Sequence, residues 1–325
     1  VPERAMRMLD VIDAFREALS DETGASGRPS LSLLTDYLLH QCEVIVLTAQ
    51  TSASGLRLFQ VLNNRGLQLS QADLIKPDLL QALPEDRRDE AATIWEGLED
   101  RLGAEHLDTL LRSMVFILSG RWESPGRDYA TALKAVMLAR GAETFHFEDL
   151  PAFGAALEQI NWGDLPAIDG HKDPNTLMTG LFILGRTLNE WKEFLPVAMQ
   201  MATTFKDDPE SLFKHIQALD RTFYVWFINE TSEGPRRRVS SEVIECLRRS
   251  DDLFAEDSPL TVPPLQLEKA LAALKTPFPK LYQRGALIRR YELAMCLEAG
   301  KPAPQYLDRT TAEHILPKNP RPQSK

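Results

Sequence analysis

Cysteine is scarce in this chain, and what little there is does not pair. Cys42, Cys246 and Cys296 are its only three in 325 residues, with no Cys-x-x-Cys spacing among them. That excludes a disulfide framework and a cysteine zinc site and fits a reducing, cytoplasmic setting. Long apolar runs are missing as well. The best stretch, Leu177 to Leu184, is broken by Thr179 and Gly180 and falls short of the roughly 20 residues that span a bilayer, so no membrane partner is expected. There is no Gly-x-x-x-x-Gly-Lys phosphate loop and no Gly-x-Ser-x-Gly nucleophile elbow. His40, His106, His146, His171 and His215 show no ligand spacing such as His-x-x-x-His, and none is assigned a metal. Positive charge is also short: 37 Lys and Arg against 47 Asp and Glu leave a net charge of -10. The whole molecule therefore repels nucleic acid, and any contact with DNA phosphates requires a locally basic surface. The opening Val1-Pro2-Glu3 carries neither Met nor a basic and apolar leader, which reads as a piece of a longer protein rather than an exported one.

What is present is mostly helical periodicity, with enough apolar content (43%) to bury a substantial core. Met6, Leu9, Ile12, Phe15 and Leu19 form one stripe, and Ser30 opens a second helix to Leu39. Ile94, Leu98 and Leu102 make a further stripe, and Leu107, Leu110, Leu111, Met114 and Ile117 another. Later helices are expected at Tyr129 to Leu138, Leu177 to Leu188, Phe194 to Met201, Leu212 to Ile228 and Leu287 to Leu297. The one strand expected is short and β-branched, at residues 42 to 47. Trp95, Trp122, Trp162, Trp191 and Trp226 lie among apolar helical positions and read as core. The fold class expected is mainly α: a multi-helical body with a small residual β element around 42–47.

Two segments carry more than packing. The first runs Phe59-Gln-Val-Leu-Asn63-Asn-Arg65-Gly66-Leu-Gln-Leu69-Ser70-Gln-Ala-Asp73-Leu74-Ile75-Lys76. Gly66 supplies a turn between two helices, and Ser70 with Asp73 forms a capping box at the start of the second, with Leu69 as its hydrophobic staple. The polar set Asn63, Arg65, Asp73 and Lys76 is not needed for that hairpin. It clusters about a helix N-terminus, where backbone amides favour anions. The local alternative is a helical hairpin with solvated charges. The second segment is Arg309-Thr310-Thr311-Ala312-Glu313-His314-Ile315-Leu316-Pro317. Its histidine, neutral near pH 7, has the chemistry of a general base.

The first segment resembles the signature of the ParB/sulfiredoxin-like nucleotide-hydrolysing domain of GmrSD-type (type IV) restriction proteins. The second resembles the first strand of the His-Me finger (HNH) nuclease domain that follows it in the same family. The resemblance implies residues 1–84 as the C-terminal part of the nucleotide-binding domain, 85–305 as a helical linker or sensor body, and 306–325 as an incomplete ββα-metal segment. Asn63, Arg65, Gly66, Asp73 and Lys76 would then lie beside a nucleoside triphosphate, and His314 would be the catalytic base. The intact protein would use Mg or another divalent metal, act on modified foreign DNA and possess a nucleotide-hydrolysing activity. The family's Asp-Gly-Gln-Gln-Arg run is not found in residues 1 to 58. Either it precedes Val1 or this member has lost the pocket. The family's metal ligand follows the histidine on a later hairpin and helix, so this chain alone is expected to be silent and to hold no cofactor.

Pro77, directly after Lys76, departs from the family's commoner pattern and is expected to disturb the second turn of that helix. Arg236, Arg237 and Arg238, with Arg248, Arg249, Arg289 and Arg290 further on, offer a weak DNA-contacting surface; a solvated face balanced by glutamates is the alternative. A homodimer is compatible with the sequence, and so is a non-catalytic helical scaffold that binds a protein partner.

Overall fold

A computed structural model describes residues 3–19, 31–43, 71–121, 131–133, 135–136, 147–188, 192–275 and 281–304. These are mainly helical, with no strand among them. Cys42 and Glu43 follow a helix as irregular backbone. The remainder of the expected β element (44–47), Asn63, Arg65, Gly66, Ser70 and the whole 306–325 segment with His314 lie outside the described residues.

The helices are α1 (Glu3–Leu19), α2 (Leu31–Gln41), α3 (Gln71–Ala82), α4 (Arg88–Ser119), α5 (Leu150–Trp162), α6 (Pro174–Leu188), α7 (Phe194–Thr204), α8 (Pro209–Ile228), α9 (Glu233–Arg249), α10 (Pro264–Leu274) and α11 (Leu281–Glu298). From α3 onward the apolar stripes explain the packing, whereas the stripes of α1 and α2, expected to face the core, are exposed at Leu9, Ile12, Phe15, Leu38 and Leu39. Leu98, Leu102, Leu107, Leu110, Leu111, Met114 and Ile117 are all buried on α4. The two stripes belong to two helical pieces, because Gly103 interrupts α4 at φ 68 and ψ 171, a backbone region open essentially to glycine alone. The sequence of α7, Phe-Leu-Pro-Val-Ala-Met-Gln-Met-Ala, is apolar all round rather than on one stripe, and such a helix belongs at a core's centre. There it packs on α4, α5, α8 and α9, with Val197, Ala198, Met199 and Met201 wholly enclosed. Each valine or methionine so buried contributes about 1.5–3 kcal/mol relative to exposure.

On the far side, α6 packs on both α8 and α11. Gly180 permits the approach: a Cβ there would stand 3.2 Å from Asp220 Oδ1 and 3.3 Å from Arg290 Cδ. Tyr224 of α8 donates to the Gly180 carbonyl at 2.9 Å, and the Arg290 guanidinium of α11 grips the buried Asp220 carboxylate of α8 through Nε at 3.1 Å and through Nη2. Asp208 caps α8 by accepting from the Ser211 amide at 3.1 Å, with Pro209 in the first turn.

Pro77 lies inside α3, which continues through it from Gln71 to Ala82. The disturbance expected there does not end the helix. Proline costs the helix one hydrogen bond, to the residue 73 carbonyl near its start, while Ile75, Leu79 and Leu83 are held in the common core on α4. The boundary expected at 84/85 thus falls between two helices that share one core. Trp95 and Trp226 are buried as expected, but Trp162 is exposed at the end of α5: Gly163 terminates the helix one residue later in the left-handed conformation, at φ 74. Among the described residues, no helix is long and apolar enough to cross a membrane.

Candidate functional site

Of the hairpin's polar set, Asp73 and Lys76 are described. Asp73 is exposed in the first turn of α3. Lys76 reaches across to α4, where its Nζ stands 3.5 Å from Glu96 Oε1 and 3.3 Å from Glu99 Oε2. Lys76 is thus engaged by two carboxylates, and it ties α3 to the first piece of α4.

The arginine run on α9 separates into three different environments. Helical geometry turns successive residues about 100° apart, so three adjacent arginines cannot share one face. Arg236 points inward. Its side chain is 5% exposed against a Glu193 that is 0% exposed, with Nη2 donating to Glu193 Oε1 at 3.2 Å and Nη1 to the Thr231 carbonyl at 2.7 Å. Arg237 Nε lies 3.7 Å from the same glutamate oxygen, and its other end meets Glu233. Arg238 is 74% exposed, 3.8 Å from Glu242. The expected DNA-contacting surface therefore does not include Arg236, whose guanidinium is withdrawn from solvent by the carboxylate it neutralises. Further along, Arg248 donates to the Ile117 carbonyl, Arg249 pairs with Glu245, and Arg290 is committed to Asp220.

Burial pushes the Glu193 carboxyl up and the Arg236 guanidinium down, so desolvation outweighs mutual attraction for both. Burial likewise pushes Asp220 up to about 6 against the pull of Arg290. His215 is held below its ordinary value by burial. Its ring stacks on Phe205, with centroids 4.2 Å apart, and its Nδ1 stands 2.6 Å from the Ser211 carbonyl. Since a carbonyl only accepts, Nδ1 carries the proton there.

Glu193 matters because of its chain neighbours. Lys192 and Phe194 on either side, with Leu195, form one wall of an open cleft of about 750 Å³. The second piece of α4 supplies the opposite wall through Glu105, His106, Asp108 and Arg112; Asn161 of α5 and Phe182 and Arg186 of α6 complete it. Asp108 accepts from Arg112 Nε at 2.6 Å, which neutralises that pair and fixes both groups. Arg186 and Lys192 are exposed at the cleft with no acidic partner among the described residues. Phe182 and Phe194 meet edge to face at 5.4 Å and supply an apolar floor. Sequence reasoning did not reach this cleft, whose residues come from four separate segments without a shared spacing.

Among the described residues, no three His, Cys, Asp or Glu side chains stand close enough to hold a metal ion. No family model matches the chain, and neither a curated protein nor a solved structure is detectably similar to it.

Proposed function

We propose that this chain is the helical body of a cytoplasmic, nucleotide-regulated DNA endonuclease of the GmrSD kind, acting on modified foreign DNA. The order of two motifs carries the reading: the Phe59 to Lys76 segment precedes α4 to α11, and Arg309 to Pro317 follows them. In this account nucleotide hydrolysis beside Asn63, Arg65, Gly66, Asp73 and Lys76 moves α3. Lys76 passes that movement to α4 through Glu96 and Glu99. His314 takes the proton of the water that attacks the scissile phosphate. A divalent metal, when bound, stabilises the charge that develops on that phosphate.

The test is Mg-dependent cleavage of modified DNA by the whole protein and by its His314→Ala variant. Loss of about 100-fold or more in rate is expected; cleavage indifferent to the substitution overturns the reading.

One observation favours a second reading, a non-catalytic scaffold that binds a protein partner or a second copy. Leu265, Leu271 and Leu274 on α10 and Ile288, Tyr291 and Met295 on α11 are exposed apolar side chains, more than an ordinary monomer surface needs in so short a stretch. A whole protein silent towards both DNA and nucleotide, yet dimeric at micromolar concentration, decides for the scaffold.

A further inference from the structure

The cleft between α4, α6 and the start of α7 is lined by none of the residues used in the nuclease reading, and its chemistry is specific enough to name a ligand. At about 750 Å³ it falls within the range of about 300–1,000 Å³ typical of small-molecule sites. Its charge runs against that of the molecule. In a chain of net charge -10, the Asp108–Arg112 pair cancels itself. Arg186 and Lys192 then face the single remaining acid of the lining, Glu105. An anion is attracted here while the surface at large repels it.

Two further features restrict which anion. Phe182, Phe194 and Leu195 give the cleft an apolar wall, which an inorganic ion would leave uncovered and a planar heterocycle would cover. Asn161 and Glu105 add an amide and a carboxylate, able to bond to ring nitrogens or sugar hydroxyls. The backbone that carries Lys192 is also held in place. Lys192 and Phe194 flank Glu193, which Arg236 and Arg237 clamp inside the core. That wall is therefore built before a ligand arrives, and the ordering cost on binding is reduced.

We propose that this cleft binds a nucleoside monophosphate, with the phosphate at Arg186 and Lys192 and the base against Phe182 and Leu195. It is a site in the helical body, lined by none of residues 59–76, and it does not depend on the nuclease reading.

Calorimetric titration of this chain with AMP, adenosine and inorganic phosphate tests it. Saturable binding of AMP is expected, tighter than that of adenosine or phosphate alone, because only AMP uses both the cations and the apolar wall. Arg186→Gln and Lys192→Gln should each weaken AMP by about tenfold, the cost of one lost charged hydrogen bond, without lowering the thermal midpoint. Arg238→Gln, which removes an exposed cation outside the cleft, should leave AMP binding unchanged. Absence of saturable AMP binding overturns the proposal, and so does binding that survives the Arg186→Gln, Lys192→Gln double variant. Phosphate binding as well as AMP does would reduce the cleft to an anion patch and overturn it too. Uptake of a single-stranded oligonucleotide in place of AMP would make the cleft a nucleic-acid surface, with the same result. None of these outcomes bears on His314, so the endonuclease reading stands or falls separately.

Discussion

A buried ion pair is a costly way to anchor a helix start, and Glu193 with Arg236 shows what the arrangement secures. Water is lost from both groups, and what they gain is a fixed start for α7, tied to α9. Removing one partner strands the other, so Glu193→Ala should destabilise the protein by about 3–5 kcal/mol. Arg238→Gln, two residues along the same helix but exposed, should change stability by less than about 0.5 kcal/mol. Urea unfolding of the two variants checks the contrast; equal losses would mean that Arg236 is not the core residue described. His215 makes a second prediction, from its burial between Phe205 and Phe254. Its folded pKa lies below the ordinary 6.5, so the unfolded chain takes up the proton first. The stability His215 contributes is present above pH 6.5 and is lost as pH falls below it. An NMR titration should place its midpoint under 6.5; a midpoint at or above that value contradicts the burial argument.

The helices of the core are largely legible in the sequence, because apolar stripes follow from what each face packs against; on α1 and α2 the stripe marks a helix but not a buried face, since Leu9, Ile12, Phe15, Leu38 and Leu39 are exposed. The stripe from Ile94 and the stripe from Leu107 read as separate, and in α4 Gly103 separates them. What the pattern cannot show is that the break lies in positive-φ backbone, since a glycine's dihedrals leave no mark on its neighbours' hydrophobicity. The conformation is testable against a second glycine on the same helix. A Cβ at Gly97 or at Gly103 would meet nothing within 4 Å, so packing drops out of the comparison and backbone preference alone remains. Gly97→Ala should stabilise by about 0.5–1 kcal/mol, and Gly103→Ala should destabilise by about 1–3 kcal/mol. Thermal unfolding that shifts both variants in the same direction would contradict a positive φ at Gly103. Pro77, expected to disturb the second turn, leaves α3 continuous. A proline near a helix start removes one backbone bond, and burial of Ile75 and Leu79 against α4 outweighs it. Trp162 is exposed because it stands about 200° round α5 from Ile160, on the side opposite the buried Phe153, Leu157 and Ile160; reading it as core took its composition over its phase.

At the scale of the whole molecule, sequence and structure divide the task unevenly. The motifs on which the endonuclease proposal rests, Phe59 to Lys76 and Arg309 to Pro317, are legible as runs of letters because the chemistry proposed for them needs fixed local spacing. The cleft is illegible because its walls are assembled by tertiary packing from Glu105, Asn161, Phe182, Arg186 and Lys192, residues whose separations along the chain carry no period. The arginine run misleads for a related reason: adjacency in sequence suggests one basic face, whereas the helix turns Arg236 into the core and leaves Arg238 outside. On the endonuclease reading, the body couples nucleotide to nuclease through Lys76, Glu96 and Glu99. The direct measurement is the rate of Mg-dependent cleavage of modified DNA by the whole protein, with and without nucleoside triphosphate, for the wild type and for Lys76→Ala. Cleavage should depend on nucleotide in the wild type and lose that dependence in the variant. Cleavage equally responsive to nucleotide in both, or no cleavage by the wild type under any condition, would contradict the coupling role of the body.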